Sequence, residues 1–289
     1  MLKLLLLQSS CVSGGSSPPR GGPGEERNLE GRSPSVISAT ETLLALGLLT
    51  KGCLSRNILR APFRAFWKHI LLPIGVVCFA TFLHIDATAR GGWPMLAIAG
   101  AVWLLFANSV SYGGMTLWHE RWLLRHPSIP AGLLLTAAVL VPISLFGVHL
   151  SLIHLALRAS TFPRGGTPVE IAFAGAIAVA AGLGAGILAA RLSGLRPNFA
   201  FALPKLLLAS LILTPVFYRL SSLDGLGHAW SMANPLCAAT ELARAGISLE
   251  TEDLPRHAKI IACALSGAIL CWGSFTLRVP SASFTEEHA

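Results

Sequence analysis

Six stretches of this chain run almost unbroken in apolar residues, approximately Phe66–Ile85, Pro94–Tyr112, Ala131–Leu157, Val169–Ala190, Pro204–Tyr218 and Lys259–Leu277. A helix needs about 20 such residues to cross a ~30 Å hydrocarbon core. Within lipid only a helix or a closed barrel satisfies its own backbone. The pattern therefore predicts an all-α membrane protein of about six transmembrane helices. Composition agrees, with 53% hydrophobic and 12% charged residues and a mean hydropathy of +0.63. A soluble domain carries charge at about a quarter of its positions, so this chain lacks the polar surface to cover a water-soluble globule.

The net charge of +8 would point to nucleic acid in a soluble protein. In a membrane protein it follows from Lys and Arg gathering on the cytoplasmic side, so no nucleic-acid partner is expected. With the N-terminus inside, roughly eleven basic residues, Lys51, Arg56, Lys68, Arg121 and Lys205 among them, flank the inner side. Roughly seven, including Arg158 and Arg244, fall outside. Both termini are then cytoplasmic. The six cysteines, Cys11, Cys53, Cys78, Cys237, Cys263 and Cys271, form neither a CxxC pair nor a His/Cys cluster, so no metal or disulfide framework is expected.

Residues 1–37 include Ser13–Gly24, a Gly/Ser/Pro-rich run that cannot build a core, and read as a disordered cytoplasmic tail. The opening MLKLLLL, ahead of Cys11, is shorter than the roughly seven to fifteen apolar residues of a signal segment. Residues 38–65 read as an amphipathic interfacial helix. There Arg56, Arg60 and Arg64 recur every fourth residue, with Ile58, Leu59 and Phe63 largely on other faces. The transmembrane domain then occupies 66–278 and a cytoplasmic tail 279–289.

The fifth stretch is short and carries Pro215 near its end, and Asn234-Pro235 opens a short apolar segment closed by Gly246. Asn at the cap, Pro in the first turn and Gly at the end predict a helix too short to span. Together they predict a re-entrant helical hairpin before the last span. In the fourth stretch Ala174, Ala178, Gly182, Gly186 and Ala190 form a ladder of small residues. Such a ladder serves either a dimer or gate contact or packing within one subunit. Trp118 and Trp122 sit four apart between the second and third stretches, fitting either a partner's docking surface or an interfacial aromatic belt. His149 and His154, five apart, do not share a metal-binding face.

No GxxxxGK[ST] loop is present to cradle phosphates, and neither GxSxG nor HExxH occurs. The chain is not expected to be an enzyme, and energy for uphill transport would come from another polypeptide.

Four stretches, spanning about Arg56 to Leu277, resemble the ABC-2 family of exporter permeases, nearest the polysaccharide and polyol-phosphate exporters of capsule, O-antigen and teichoic acid systems. They are RNILRAPFRAFWKHILLPIG, WPMLAIAGAVWLLFANSVSYGG, LRPNFAFALPKLLLASLILTPVFYRLSSL and Ala233-Asn234-Pro235-Leu236. The most specific are TPVFYRLSSL, close to the family's SPVFYPLSSLP, and the NPL about a dozen residues later. Arg64-Ala65, where the family often has Leu-Gly, the two Trp of the 118–125 loop and the glycine-rich tail depart from the pattern.

The resemblance implies a multi-pass bacterial inner-membrane protein, a homodimer around a channel, bound to two ATPase subunits that hold the ATP, with no cofactor of its own. It implies ATPase coupling through Trp118, Glu120, Arg121, Trp122 and Arg125. It implies a substrate entrance at Arg56, Arg60 and Arg64, whose guanidinium groups suit either the phosphate of a lipid-linked glycan or membrane lipid headgroups. Trp103, Phe106, Phe217 and Tyr218 are candidate channel-lining faces for sugar rings, with core or lipid packing as the alternative. An ABC-2 permease for drugs or lipids, a membrane enzyme acting on lipid-linked sugars, and a non-transporting assembly protein are the competing readings.

Overall fold

The computed structural model describes residues 44, 46–48, 92–119, 131–159, 165–196, 198–218, 225, 233–247 and 255–278, all within one unit of residues 39–289. The expected tails and the first expected span lie outside the described residues. Of the interfacial helix, residues 44 and 46–48 are described and are helical, with Leu44 and Leu48 exposed.

Among the described residues every regular element is a helix. In chain order these are α1 (Gly92–Asn108), a π-helix (Ser109–Gly114), α2 (Thr116–His119), α3 (Ala131–Ala159), α4 (Pro168–Leu195), α5 (Asn198–Leu213), α6 (Pro235–Ala245) and α7 (Arg256–Arg278). Four helices are long and apolar enough to cross a membrane: Trp93–Trp118, Gly132–Ala159, Pro168–Leu195 and Arg256–Phe275. They correspond to the second, third, fourth and sixth expected spans. The fifth, α5, has 16 residues and none buried, about 24 Å at the helical rise and short of the hydrocarbon thickness.

α4 is the hub and packs against each of the other elements. Its Ala and Gly residues make it thin enough to be approached from several sides. A Cβ on Gly182 would lie 2.7 Å from the Phe106 carbonyl oxygen, and one on Gly186 would lie 2.7 Å from that of Val110. On another side a Cβ on Gly184 would meet the Ile269 carbonyl oxygen at 2.6 Å, and one on Gly273 of α7 would meet that of Gly184 at 2.8 Å. Glycine is needed at these places because backbone touches backbone.

Three apolar clusters follow from this packing. The largest joins α1, α3, α4, α6 and α7 around Ile98, Val102, Leu105, Ile177 and Leu242. A second, at the Trp118 end, holds Met115, Leu117, Leu134 and Ile187, with Trp118, Phe199 and Leu203 partly buried against it. A third holds Leu96, Ala99 and Val216 with Trp103, Leu211 and Phe217. In the apolar window of Trp93–Trp118, 67% of residues are buried, against 22% in that of Arg256–Phe275. The first helix is therefore a core element and α7 a peripheral one, its Ile260, Trp272 and Phe275 exposed.

Candidate functional site

The two stretches that most resemble a known family, around Thr214–Tyr218 and Asn234–Leu236, meet at one end of the bundle. Pro215 cannot donate a backbone hydrogen bond, and α5 ends at Leu213 just before it. Thr214 seals the end, its hydroxyl and backbone N–H donating to the Ser210 carbonyl at 2.7 and 2.9 Å. The turn that follows leaves carbonyls without helical donors. Thr214, Pro215 and Val216 are all buried, so water cannot serve them.

Arg244 of α6 supplies the missing donors. Its Nη2 donates to the Val216 carbonyl at 2.9 Å, Nη1 to that of Tyr218 at 3.0 Å, and Nε to that of Met95, near the start of α1, at 3.4 Å. The charge is balanced by Glu241, one turn earlier on α6, whose Oε1 accepts from Nη1 at 2.8 Å. The planar fork of a guanidinium spreads its donors over three nitrogens and so reaches acceptors too far apart for the single nitrogen of an ammonium. Arg244 is 3% exposed. So buried, it ties three segments together.

α6 is positioned to present it. The Asn234 side chain accepts from Leu236 N–H at 3.0 Å and Pro235 occupies the first turn, the start expected from the sequence. Gly246 ends the helix in a right-handed conformation, φ −68°, so the turn does not require a glycine. Close packing does: a Cβ on Gly246 would lie 2.5 Å from Ile171 Cγ1, and one on Gly166 would lie 2.2 Å from the Gly246 carbonyl carbon.

The expected site residues distribute as follows. Trp103 and Phe217 share the third cluster, and the Trp103 indole N–H donates to Ser210 Oγ at 3.1 Å, tying α1 to α5. Tyr218 is half-buried and its hydroxyl donates to the Leu213 carbonyl at 3.3 Å. Phe106 is not with them; it lies against the largest cluster and beside Gly182. Gly182 and Gly186 face the first helix of the same chain. Trp118 is partly buried against the second cluster. Arg56, Arg60, Arg64, Glu120, Arg121, Trp122 and Arg125 lie outside the described residues.

His149 is buried, whereas His154 Nε2 accepts from Arg158 Nε at 3.0 Å at an exposed site. Lys205, expected at a helix end, is the eighth residue of α5 and is exposed. A lysine there can reach back along the helix toward its start.

Among the described residues the fold is all-helical, with four helices long and apolar enough to cross a membrane. No family model matches this chain, and no curated protein matches it.

Proposed function

We propose that this chain is the permease subunit of an ATP-driven exporter of the ABC-2 type, translocating a lipid-linked polysaccharide or polyol phosphate across a bacterial inner membrane. The observation that carries the reading is the junction around Arg244. The turn that carries TPVFY is tied through Arg244 to α6, the helix that NPL opens, and to the start of α1. Cys237 Sγ, next to NPL, lies 3.9 Å from the carbonyl oxygen of Leu213, next to TPVFY. A shared role for the two stretches requires that proximity.

In this reading the protein has six spans, Phe66–Ile85 supplying the first and α5 the fifth. The α5–turn–α6 segment is a re-entrant hairpin from the outer side, and its buried carbonyls are tolerated because Arg244 satisfies them. Two copies pair around a channel to which Trp103, Phe217 and Tyr218 contribute near the junction. An ATPase docks on the loop after Trp118, both termini lie in the cytoplasm, and Arg56, Arg60 and Arg64 meet the substrate's phosphate.

The test is co-purification of the tagged full-length chain in mild detergent with and without Trp122→Ala/Arg125→Ala, followed by export assays in vesicles. We expect a stoichiometric ATPase that the double variant loses. A folded preparation that retains no ATPase and exports nothing would overturn the reading and favour a membrane enzyme.

A further inference from the structure

The long helix from Trp93 to Trp118 is not uniform. Between Ser109 and Gly114 it widens to a π-helix, with Met115 N–H donating to the Val110 carbonyl five residues back at 3.1 Å. Single π turns inside α-helices mark places where an extra residue is held in the ladder, and they recur at functional sites. We propose that this segment is a register joint, at which the Trp118 end of the helix shifts against the rest of the bundle. The part of the proposal that names what drives the shift rests on the permease reading above.

Three independent features converge on the joint. The first is Ser109. Its hydroxyl is fully buried and is the one buried side-chain polar atom among the described residues with no hydrogen-bond partner. Elsewhere Thr136, Ser144, Ser151, Ser193 and Thr214 each donate to the carbonyl four residues earlier. The equivalent acceptor for Ser109 is the carbonyl of Leu105, and that bond is absent here. A buried hydroxyl left unsatisfied raises the energy of the observed register and so narrows the gap to another.

The second feature is the division of packing. On one side of the joint, Ile98, Val102 and Leu105 belong to the largest cluster. On the other, Met115, Leu117 and Trp118 belong with Leu134 and Ile187. The helix is anchored twice, in different clusters, with the π-helix between the anchors.

The third is the surface of the joint itself. It meets α4 backbone to backbone, Gly114 against Gly186 and the Val110 carbonyl against Gly186. A contact of glycines offers fewer interlocking side chains to fix one register than a ridge of large residues would. Gly113 faces only the ends of Leu183 and Val139, which a Cβ would meet at 3.2 and 3.5 Å.

The consequence concerns Trp118. It lies beyond the joint and packs on the cluster that Phe199 and Leu203 of α5 also touch. A displacement of the chain after residue 119 would reach α5 through this cluster while the part of the helix before Asn108 stays in place. Trp118 is then a positioning residue that passes movement inward, rather than a contact made by the ATPase.

Hydrogen exchange on the full chain with its ATPase in lipid nanodiscs tests the joint, compared with the exporter's activity in the same preparation. Amides 109–115 are expected to exchange at least about tenfold faster than amides 98–107 of the same helix. Gly113→Ala, which meets only movable side-chain ends, is expected to slow 109–115 by about tenfold and to lower export similarly, with the ATPase still bound. Ser109→Ala removes the hydroxyl left unsatisfied in the observed register and so favours that register; it should lower export several-fold without lowering thermal stability. It carries the export arm should Gly113→Ala fail to fold. Exchange at 109–115 no faster than at 98–107 would overturn the joint, as would full export by a Gly113→Ala chain whose exchange has slowed. If the wild-type chain binds no ATPase, the permease reading falls, and the exchange comparison still decides the joint.

Discussion

Val216 and Arg244, 28 residues apart, are joined by a 2.9 Å hydrogen bond from the guanidinium Nη2 to the backbone carbonyl. The bond completes a turn that Pro215 opens, and the same guanidinium also reaches Tyr218 and Met95. Removing one member of a buried, paired charge leaves the other uncompensated, which costs about 3–5 kcal/mol. Arg244→Ala and Glu241→Ala are each expected to lower the melting temperature of the detergent-purified protein sharply. Arg244→Lys should not restore it, because a single nitrogen cannot reach the carbonyls that the guanidinium serves from Nε, Nη1 and Nη2. A thermal-stability series over these three variants checks this, and a stable Arg244→Lys chain would show that charge alone suffices.

The glycines of the hub separate into those that packing requires and those it does not. Gly114→Ala would place a methyl 2.0 Å from the Gly186 carbonyl carbon, so the two helices must part. Overpacking of this kind costs about 1–3 kcal/mol, and more where backbone must move. Gly100, in the same helix, has nothing within 4 Å of an added Cβ, and Gly100→Ala should be neutral or stabilising by up to about 1 kcal/mol. Comparing the two by thermal unfolding tests whether this contact, rather than helix propensity, explains Gly114.

Trp103 and Ser210 offer a cleaner measurement, because a single hydrogen bond of 3.1 Å ties α1 to α5. Trp103→Phe keeps an aromatic ring and removes the N–H. Polar links between membrane helices average about 0.6 kcal/mol in double-mutant cycles. Trp103→Phe and Ser210→Ala should therefore show a coupling of about that size, the double variant losing less than the sum of the singles. Strict additivity would mean the bond contributes nothing to holding α5 in place.

Asn234 caps α6 through its side chain, accepting from Leu236 N–H at 3.0 Å. Asn234→Ala is expected to cost about 1 kcal/mol, whereas Asn234→Asp and Asn234→Ser should hold most of the stability because each keeps an acceptor oxygen. Since α6 carries Arg244, the Ala variant should also loosen the turn at Val216. Faster proteolysis near residues 214–218 than in wild type would register that loosening.

The parts of this architecture legible in the sequence are those that arise from local repetition. The long apolar runs marked the four helices long enough to span, and Asn234-Pro235 marked the start of α6. The small-residue ladder marked the face that α4 turns toward the first helix, though its partner could not be named. Arg244 was not legible as a tie because its acceptors are backbone carbonyls from two distant segments, which leave no trace in residue type. A weak signal existed in Glu241 and Arg244, an i,i+3 pair of opposite charge on an otherwise apolar short helix. The position of Lys205 was misjudged because Pro204 reads as a helix start, whereas α5 begins at Asn198 and carries the proline inside. The π-helix escaped because its spacing over six residues cannot be told from an α turn by hydrophobic pattern. Trp118 was legible as a candidate from its spacing to Trp122, but its packing against the cluster of Leu134 and Ile187 was not, because those partners lie on other helices.

The outer face of α7 supports a final prediction about its surroundings. Ile260, Ile261, Leu265, Trp272 and Phe275 are all exposed there, and so is Cys271. In water so apolar a face would drive association; in a bilayer it needs no protein partner. With the other five cysteines, Cys11, Cys53, Cys78, Cys237 and Cys263, replaced by Ala, a nitroxide on Cys271 should collide more often with dissolved oxygen, which concentrates in lipid, than with a water-soluble nickel complex. Near Arg256, at the start of the same helix, the preference should reverse, since a charged side chain there belongs at the interface. Greater collision with the nickel complex at Cys271 would mean that this face borders water. Low collision with both reagents would mean that another protein surface covers it. The two departures are thus distinguishable, and each would move α7 from the lipid boundary to a different place in the assembly.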